Sequence, residues 1–538
     1  MYNSKQLDHL GLVSGMIDEL GLVNQIDSLM SVQNKERDLS IGIICKSLII
    51  NGLGFVQRTL YMVPSFFEDK PIEHLLGKGI KAEQLNDTTL GRALDDIHKY
   101  GCTELYGGLV PQICKVLGLK GGPIHMDSTD FHVDGVYNSR KEAVEEGIIH
   151  LRQGYSRDHR PDLNQVVLNL IVENKAGIPL HMVGLDGNTS DKVAFQQTIE
   201  EHVRQLQTVT EFSHLVMDSA GYSEKSLSSC GDTLFWVSRV PENFTASKEV
   251  IAGSYDNWQE LSEGYEYVAL ERTVYDIPQR WLLVFSQAAY EREMISLRKD
   301  FAKKSDAEFK AFIKLCREVY DSEDAAQKAF DIFLKKCKYL SVNQLDFEEK
   351  AVYDKKGRPS KTDIPTGFHY FIRGEAYTKR EVFEKMAHTK GKFIIATNDL
   401  DKHKFSDIEC FQTYKGQSKV ERGFRFLKDP QFLASTIFVK KPERVEALLF
   451  IMTTCLTVYA AIEYRIRQQL EQNDVTFPNQ LGKQVKNPTA RWIFQCFSNI
   501  TLLFNDTGEK PVILNLKPNN LLMIKLLGEN YFKYYSST

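Results

Sequence analysis

GPIHMDSTDFHV, residues 122–133, is where the chain changes period. Before it, apolar residues recur at helical spacing; from here they follow the spacing of strands. VVLNLIVEN (166–174) reads as a second strand and PLHMVGLDG (179–187) as a third. A helical stretch at 193–207 precedes HLVMDSA (214–220), a short helix, and TLFWVSRV (233–240). A meander of three strands followed by helix, strand, helix and strand packs naturally as a mixed sheet with helices on its faces.

Upstream, Ser40 is placed to cap a helix through IGIICKSLII, with Gly52 and Gly54 to stop it. Asn86 or Asp87 caps another that puts Leu90, Leu94 and Ile97 on one face and ends at Gly101. Leu-Gly-Leu-Val occurs at 10–13 and again at 20–23, with Gly11 and Gly21 expected as helix C-caps. A helix-turn-helix and a plain helical bundle fit this pattern equally. Downstream, the rhythm breaks from about 241 to 390. Hairpin-like strands, charged helices and the basic turn DKKGRPSKTD occupy that stretch, and strand spacing returns at KFIIATND (392–399). The break reads as an inserted domain.

At 538 residues the chain is long enough for about three or four domains. Sixty-seven Lys and Arg stand against 71 acids, so the whole-chain balance gives no argument for nucleic acid, though a local basic surface remains open. Nine cysteines, none at C-x-x-C spacing, disfavour zinc modules and a disulfide framework and point to a reducing, intracellular setting. The longest uncharged apolar run, between Glu446 and Glu463, is shorter than the ~20 residues of a membrane span and reads as a buried core helix. No G-x-G-x-x-G follows a strand, and neither a P-loop nor a nucleophile elbow is present, which argues against a small-molecule enzyme.

Asp127 lies inside the first strand and Asp218 ends the apolar run of the fourth. A carboxylate there is costly unless it is used or hydrogen-bonded, and for either Asp alone a cap or a buried acceptor explains it as well. Glu421 lies in YKGQSKVERGFRFLK (414–428). At about 100° per residue Tyr414, Gln417, Glu421, Arg425 and Lys428 form one polar stripe, apart from Val420, Phe424 and Leu427. From Tyr414 to Arg444, eight Lys and Arg face three acids. Three carboxylates from separate elements suit two-metal phosphoryl transfer, in which Mg²⁺ takes hard oxygen ligands and needs neither Cys nor His. A cation beside them would hold a phosphate.

These residues resemble the bacterial insertion-sequence transposases of the DDE type, in the cut-and-paste class marked by Y-x2-R-x3-E-x6-K. Tyr414, Gln417, Glu421 and Lys428 match that spacing, with glutamine in place of arginine. The surroundings of Asp127 (Asp-Ser-Thr, then Gly135) and Asp218, together with GYSRDHRPDLNQ (154–165), WVSRVPE (236–242) and FIIATND (393–399), are similar to further family motifs. The resemblance runs from about 120 to 470. It implies an α/β, RNase H-like mixed sheet with helices on both faces, interrupted by a mainly β insertion domain and preceded by a helical N-terminal domain. In those terms 1–118 binds DNA ends, 119–240 and 391–470 form the catalytic core, 241–390 is the insertion, and 471–538 is available for dimerisation.

The implied activity is Mg²⁺-dependent cleavage at terminal inverted repeats, then attack of the freed 3′-OH on target DNA by a homodimer, in the bacterial cytoplasm. Two Mg²⁺ ions, replaceable by Mn²⁺, would rest on Asp127, Asp218 and Glu421. Tyr414, Gln417, Arg425 and Lys428 would contact DNA, although glutamine lacks the charge and fork of arginine. Relatives hold a flipped base on an aromatic of the insertion, for which Trp258 and Trp281 are candidates, with core packing favoured for both. A catalytically idle DNA-binding relative and an RNase H-like metal-dependent nuclease are the alternatives.

Overall fold

The computed structural model describes residues 2–35, 37–55, 62–133, 148–155, 160–231, 233–354, 357–360, 363–429, 439, 441–505 and 511–536. Gly135, residues 156–159, Lys440 and part of the basic turn near 354–363 lie outside them. The chain is mixed α/β, with many helices, and divides into two compact units. One comprises residues 1–239, 272–279 and 396–538, the other 240–271 and 280–395.

In the first unit, the strands Pro179–Asp186, Asn164–Glu173, Ile124–Val133, His214–Met217 and Phe235–Arg239 lie side by side in that order. The first three form an antiparallel meander, with Asp127 opposite Leu170 and Leu170 opposite Met182. The last two run parallel to Ile124–Val133, pairing Met126 with Met217 and Met217 with Ser238. Alternation along Ile124–Val133 sends His125 and Asp127 to one face and Ser128 and Asp130 to the other. Helix Asp191–Thr198 covers the second face, where the Ser128 hydroxyl donates to Asp191 Oδ1 at 2.5 Å. Helices Asp407–Lys415 and Ser418–Leu427 cover the first.

The expected caps form. Ser40 Oγ accepts from the Ile43 amide and Asn86 Oδ1 from that of Thr89, while Gly21, at φ 68°, ends the first helix (Leu10–Leu20) in the left-handed conformation. Gly11 does not cap. It lies in the first turn of that helix, where a Cβ would stand 2.6 Å from the Tyr535 ring. Its glycine serves a close approach. Gly15 serves the same purpose against Tyr531. Strand Tyr2–Gln6, which periodicity does not reveal, pairs with Thr501–Asn505.

Helix Pro442–Gln472 is long and apolar enough to cross a membrane, but 78% of its most apolar window is buried inside the protein. Its threonines 453, 454 and 457 return their hydroxyls to carbonyls one turn back, so the buried oxygens are satisfied.

The strands Lys392–Thr397, Ile277–Ser286, Tyr265–Val274 and Gln259–Ser262 are neighbours in that order; the second unit holds them except for residues 272–274, 277–279 and 396–397, which belong to the first. Beside them stands a long hairpin, Leu340–Val352 with Gly367–Thr378. The hairpin packs on helices Gln287–Arg317 and Glu323–Lys336 through Phe312, Phe330 and Ile372. Trp281 is fully buried and Trp258 half-buried, edge-on to Phe285.

Candidate active site

The sheet register assembles the site. Met126 pairs with Met217 and Met217 with Ser238; carried one residue on, it sets Asp127 beside Asp218 and Asp218 beside Arg239. Strands lie about 4.8 Å apart, so two acids and a guanidinium stand in a row across three parallel strands. The row ends at the carboxyl ends of the two short strands, where open α/β sheets present their ligand sites. Asp127 is 8% exposed, with Oδ1 accepting from the Ser128 amide at 2.8 Å. Asp218 Oδ1 accepts from the Ala220 amide at 2.8 Å, and the Asp218 carbonyl accepts from Ser238 Oγ at 2.9 Å. These bonds fix the strand ends.

Tyr414 and Glu421 come from the helices over that face. Burial pushes the Tyr414 phenol up, Arg239 pulls it back by charge and by a hydrogen bond to its oxygen, and the charges of Asp218 and Glu421 push it up again. One phenol therefore senses both acids and is held by the arginine. Gly416 and Gln417, between the two helices, keep right-handed helical dihedrals, so the polar stripe turns only slightly at the break. A Cβ at Gly416 would meet Asn174 Oδ1 at 2.3 Å and the His125 ring at 3.0 Å. Glycine is what lets this segment seat on the strand that carries Asp127.

The other stripe residues diverge. Gln417 is 8% exposed, and its side chain makes no capping bond to the following helix. Lys428 Nζ lies 3.6 Å from Asp130 Oδ1 and 6.0 Å from the centre of the Phe131 ring. Arg425 is exposed and lines a cavity with Arg422 and Lys175. Two positions escaped sequence reasoning. Arg239 stands in WVSRVPE, and its role emerges only when its strand is registered against that of Asp218. Asp130, three residues after Asp127, carries both carboxylate oxygens buried without a hydrogen bond.

Among the described residues, no three Asp, Glu, His or Cys side chains close into a metal cage. Asp127, Asp218 and Glu421 do offer the hard oxygens that Mg²⁺ takes, one or two at a time, while keeping several waters. In donor chemistry the set fits that ion.

Residues 2–111 match the model of a family described as a domain of unknown function, DUF4277. No curated protein matches the chain. Among solved structures it is similar to the cryo-EM structure of a piggyBac transposase synaptic complex with hairpin DNA. Identity is 9% and the TM-score 0.37, over 93% of this chain and 82% of that one.

Proposed function

We propose that the chain is a DNA transposase of the DDE type that cuts DNA at the ends of an insertion sequence and joins the freed 3′-OH to target DNA. The observation that supports the reading is the row Asp127, Asp218 and Arg239, with Tyr414 hydrogen-bonded to Arg239. The strand order, a three-stranded meander continued by two parallel strands, supports an RNase H-like core. The Y-x2-Q-x3-E-x6-K spacing supports the transposase class.

Asp127, Asp218 and Glu421 would hold Mg²⁺, which when bound supplies charge stabilisation at the attacking and leaving oxygens of an in-line displacement. Arg239 presents its guanidinium beside the acids, where it neutralises a non-bridging phosphate oxygen of the scissile strand. Tyr414 orients that guanidinium through its phenol oxygen and closes the site against water from the helix side. Glu421 sits on an exposed helix face, so DNA reaches it without the helix moving.

The test is cleavage of a labelled duplex carrying the element's ends, in Mg²⁺ and in EDTA, beside Glu421→Ala. Metal-dependent cutting that the variant loses by about a thousandfold or more supports the reading. Binding without cutting by the wild type moves the chain to the idle DNA-binding class.

A further inference from the structure

Helix Ser418–Leu427 has a second working face. At about 100° per residue, Arg422 and Phe426 lie roughly 100° and 140° around from Glu421. There, a cavity of about 350 Å³ opens between this helix, helix Pro442–Gln472 and the turn after strand Asn164–Glu173. Gly423 makes the approach of the two helices close, since a Cβ would meet Leu456 at 3.2 Å.

The charges lining the cavity do not balance. Two arginines are already matched: Arg467 with Glu463 at 2.6 Å and Arg491 with Asp429 at 2.7 Å. Three further cations, Lys175, Arg422 and Arg425, line the same space, and none has an ion pair among the described residues. Phe426 stacks on Tyr459 at 4.2 Å, giving one apolar wall. Three unneutralised cations over an aromatic wall suit a sugar-phosphate backbone, with phosphate oxygens on the cations and a deoxyribose on the rings. The matched arginines hold the walls and need not move.

We infer that this cavity is a second phosphodiester-binding site, taking the backbone of a DNA segment other than the one at the carboxylates. The inference rests on the DNA-acting reading above, and the two can fail separately. Anisotropy of a labelled 30-base-pair duplex is measured from 50 to 300 mM salt for the full chain, Lys175→Ala, Arg422→Ala and Glu421→Ala. Each cation variant is expected to weaken binding about tenfold. It also flattens the slope of log K against log salt by about one. Cleavage at saturating DNA keeps its wild-type rate in both. Glu421→Ala should show the converse, binding retained and cutting lost.

Unchanged salt slopes in Lys175→Ala and Arg422→Ala overturn the cavity site and leave the carboxylate reading standing. Flattened slopes in a chain that never cuts support the cavity and overturn the catalytic reading. Inorganic pyrophosphate, titrated alone, separates the sources. If it binds in a Lys175- and Arg422-dependent way while the duplex does not bind, the ligand is a free phosphate compound and the DNA assignment fails.

Discussion

The two faces of one strand treat carboxylates in opposite ways. On the face of Asp127, each acid of the row has a backbone donor, and Tyr414 and Arg239 complete the surroundings. On the other face, Asp130 is 4% exposed, without a hydrogen bond, and answered by Lys428 at 3.6 Å and His132 at 3.9 Å. On the proposed reading, the hydrogen-bonded carboxylates at the strand ends are the ones that take a ligand. A buried one facing a lysine is a structural ion pair, and it draws that lysine inward. Lys428, the last residue of the Glu-x6-Lys spacing, is thus paired with the buried Asp130.

Neutralising each acid breaks the comparison most sharply. Asp127→Asn should lower end cleavage by about a thousandfold, about 4 kcal/mol of barrier, while Asp130→Asn keeps cleavage within about threefold. Equal losses in the two variants would mean that the faces do not divide the work. The stability effect is smaller and of opposite placement. Lys428→Ala should cost about 2–3 kcal/mol in urea melts because it leaves Asp130 buried without its cation. In an Asp130→Asn background the same change should cost under about 1 kcal/mol, and additive losses would show that the pair is not coupled.

A third acid extends the contrast to pH. Burial, and then the charge of Glu104, push the Glu446 carboxyl up to about 7, with His98 Nε2 3.3 Å away. Its raised value means that the fold prefers the protonated form. The stability it contributes is present below about pH 4.5 and is lost as pH rises through 7. Glu446→Gln should therefore gain about 1–2 kcal/mol over wild type at pH 8 and almost nothing at pH 4.5. A gain independent of pH would remove the carboxyl as its cause.

What the sequence discloses here is what local chemistry decides. Ser40, Asn86 and Gly21 mark helix ends because a cap needs only its own turn. The strand period exposes the meander and the two later strands because each is half or wholly buried. Gly11 misleads because its reason is a tyrosine more than five hundred residues later. Arg239 stays hidden for a related cause, since a register between strands is not written in either strand alone. Helical spacing groups Lys428 with Glu421, but only the sheet shows that Asp130 claims it.

The fit of Gly11 and Gly15 against Tyr535 and Tyr531 has a consequence for synthesis. The Tyr535 hydroxyl donates to the Asp8 carbonyl at 2.6 Å, Tyr534 donates to Asp18 at 2.6 Å, and strand Tyr2–Gln6 needs Thr501–Asn505. At about 5–20 residues per second, the ribosome makes these partners on the order of half a minute to two minutes after the helix they complete. Throughout that interval the face of the first helix that meets Tyr531 and Tyr535 lacks those partners.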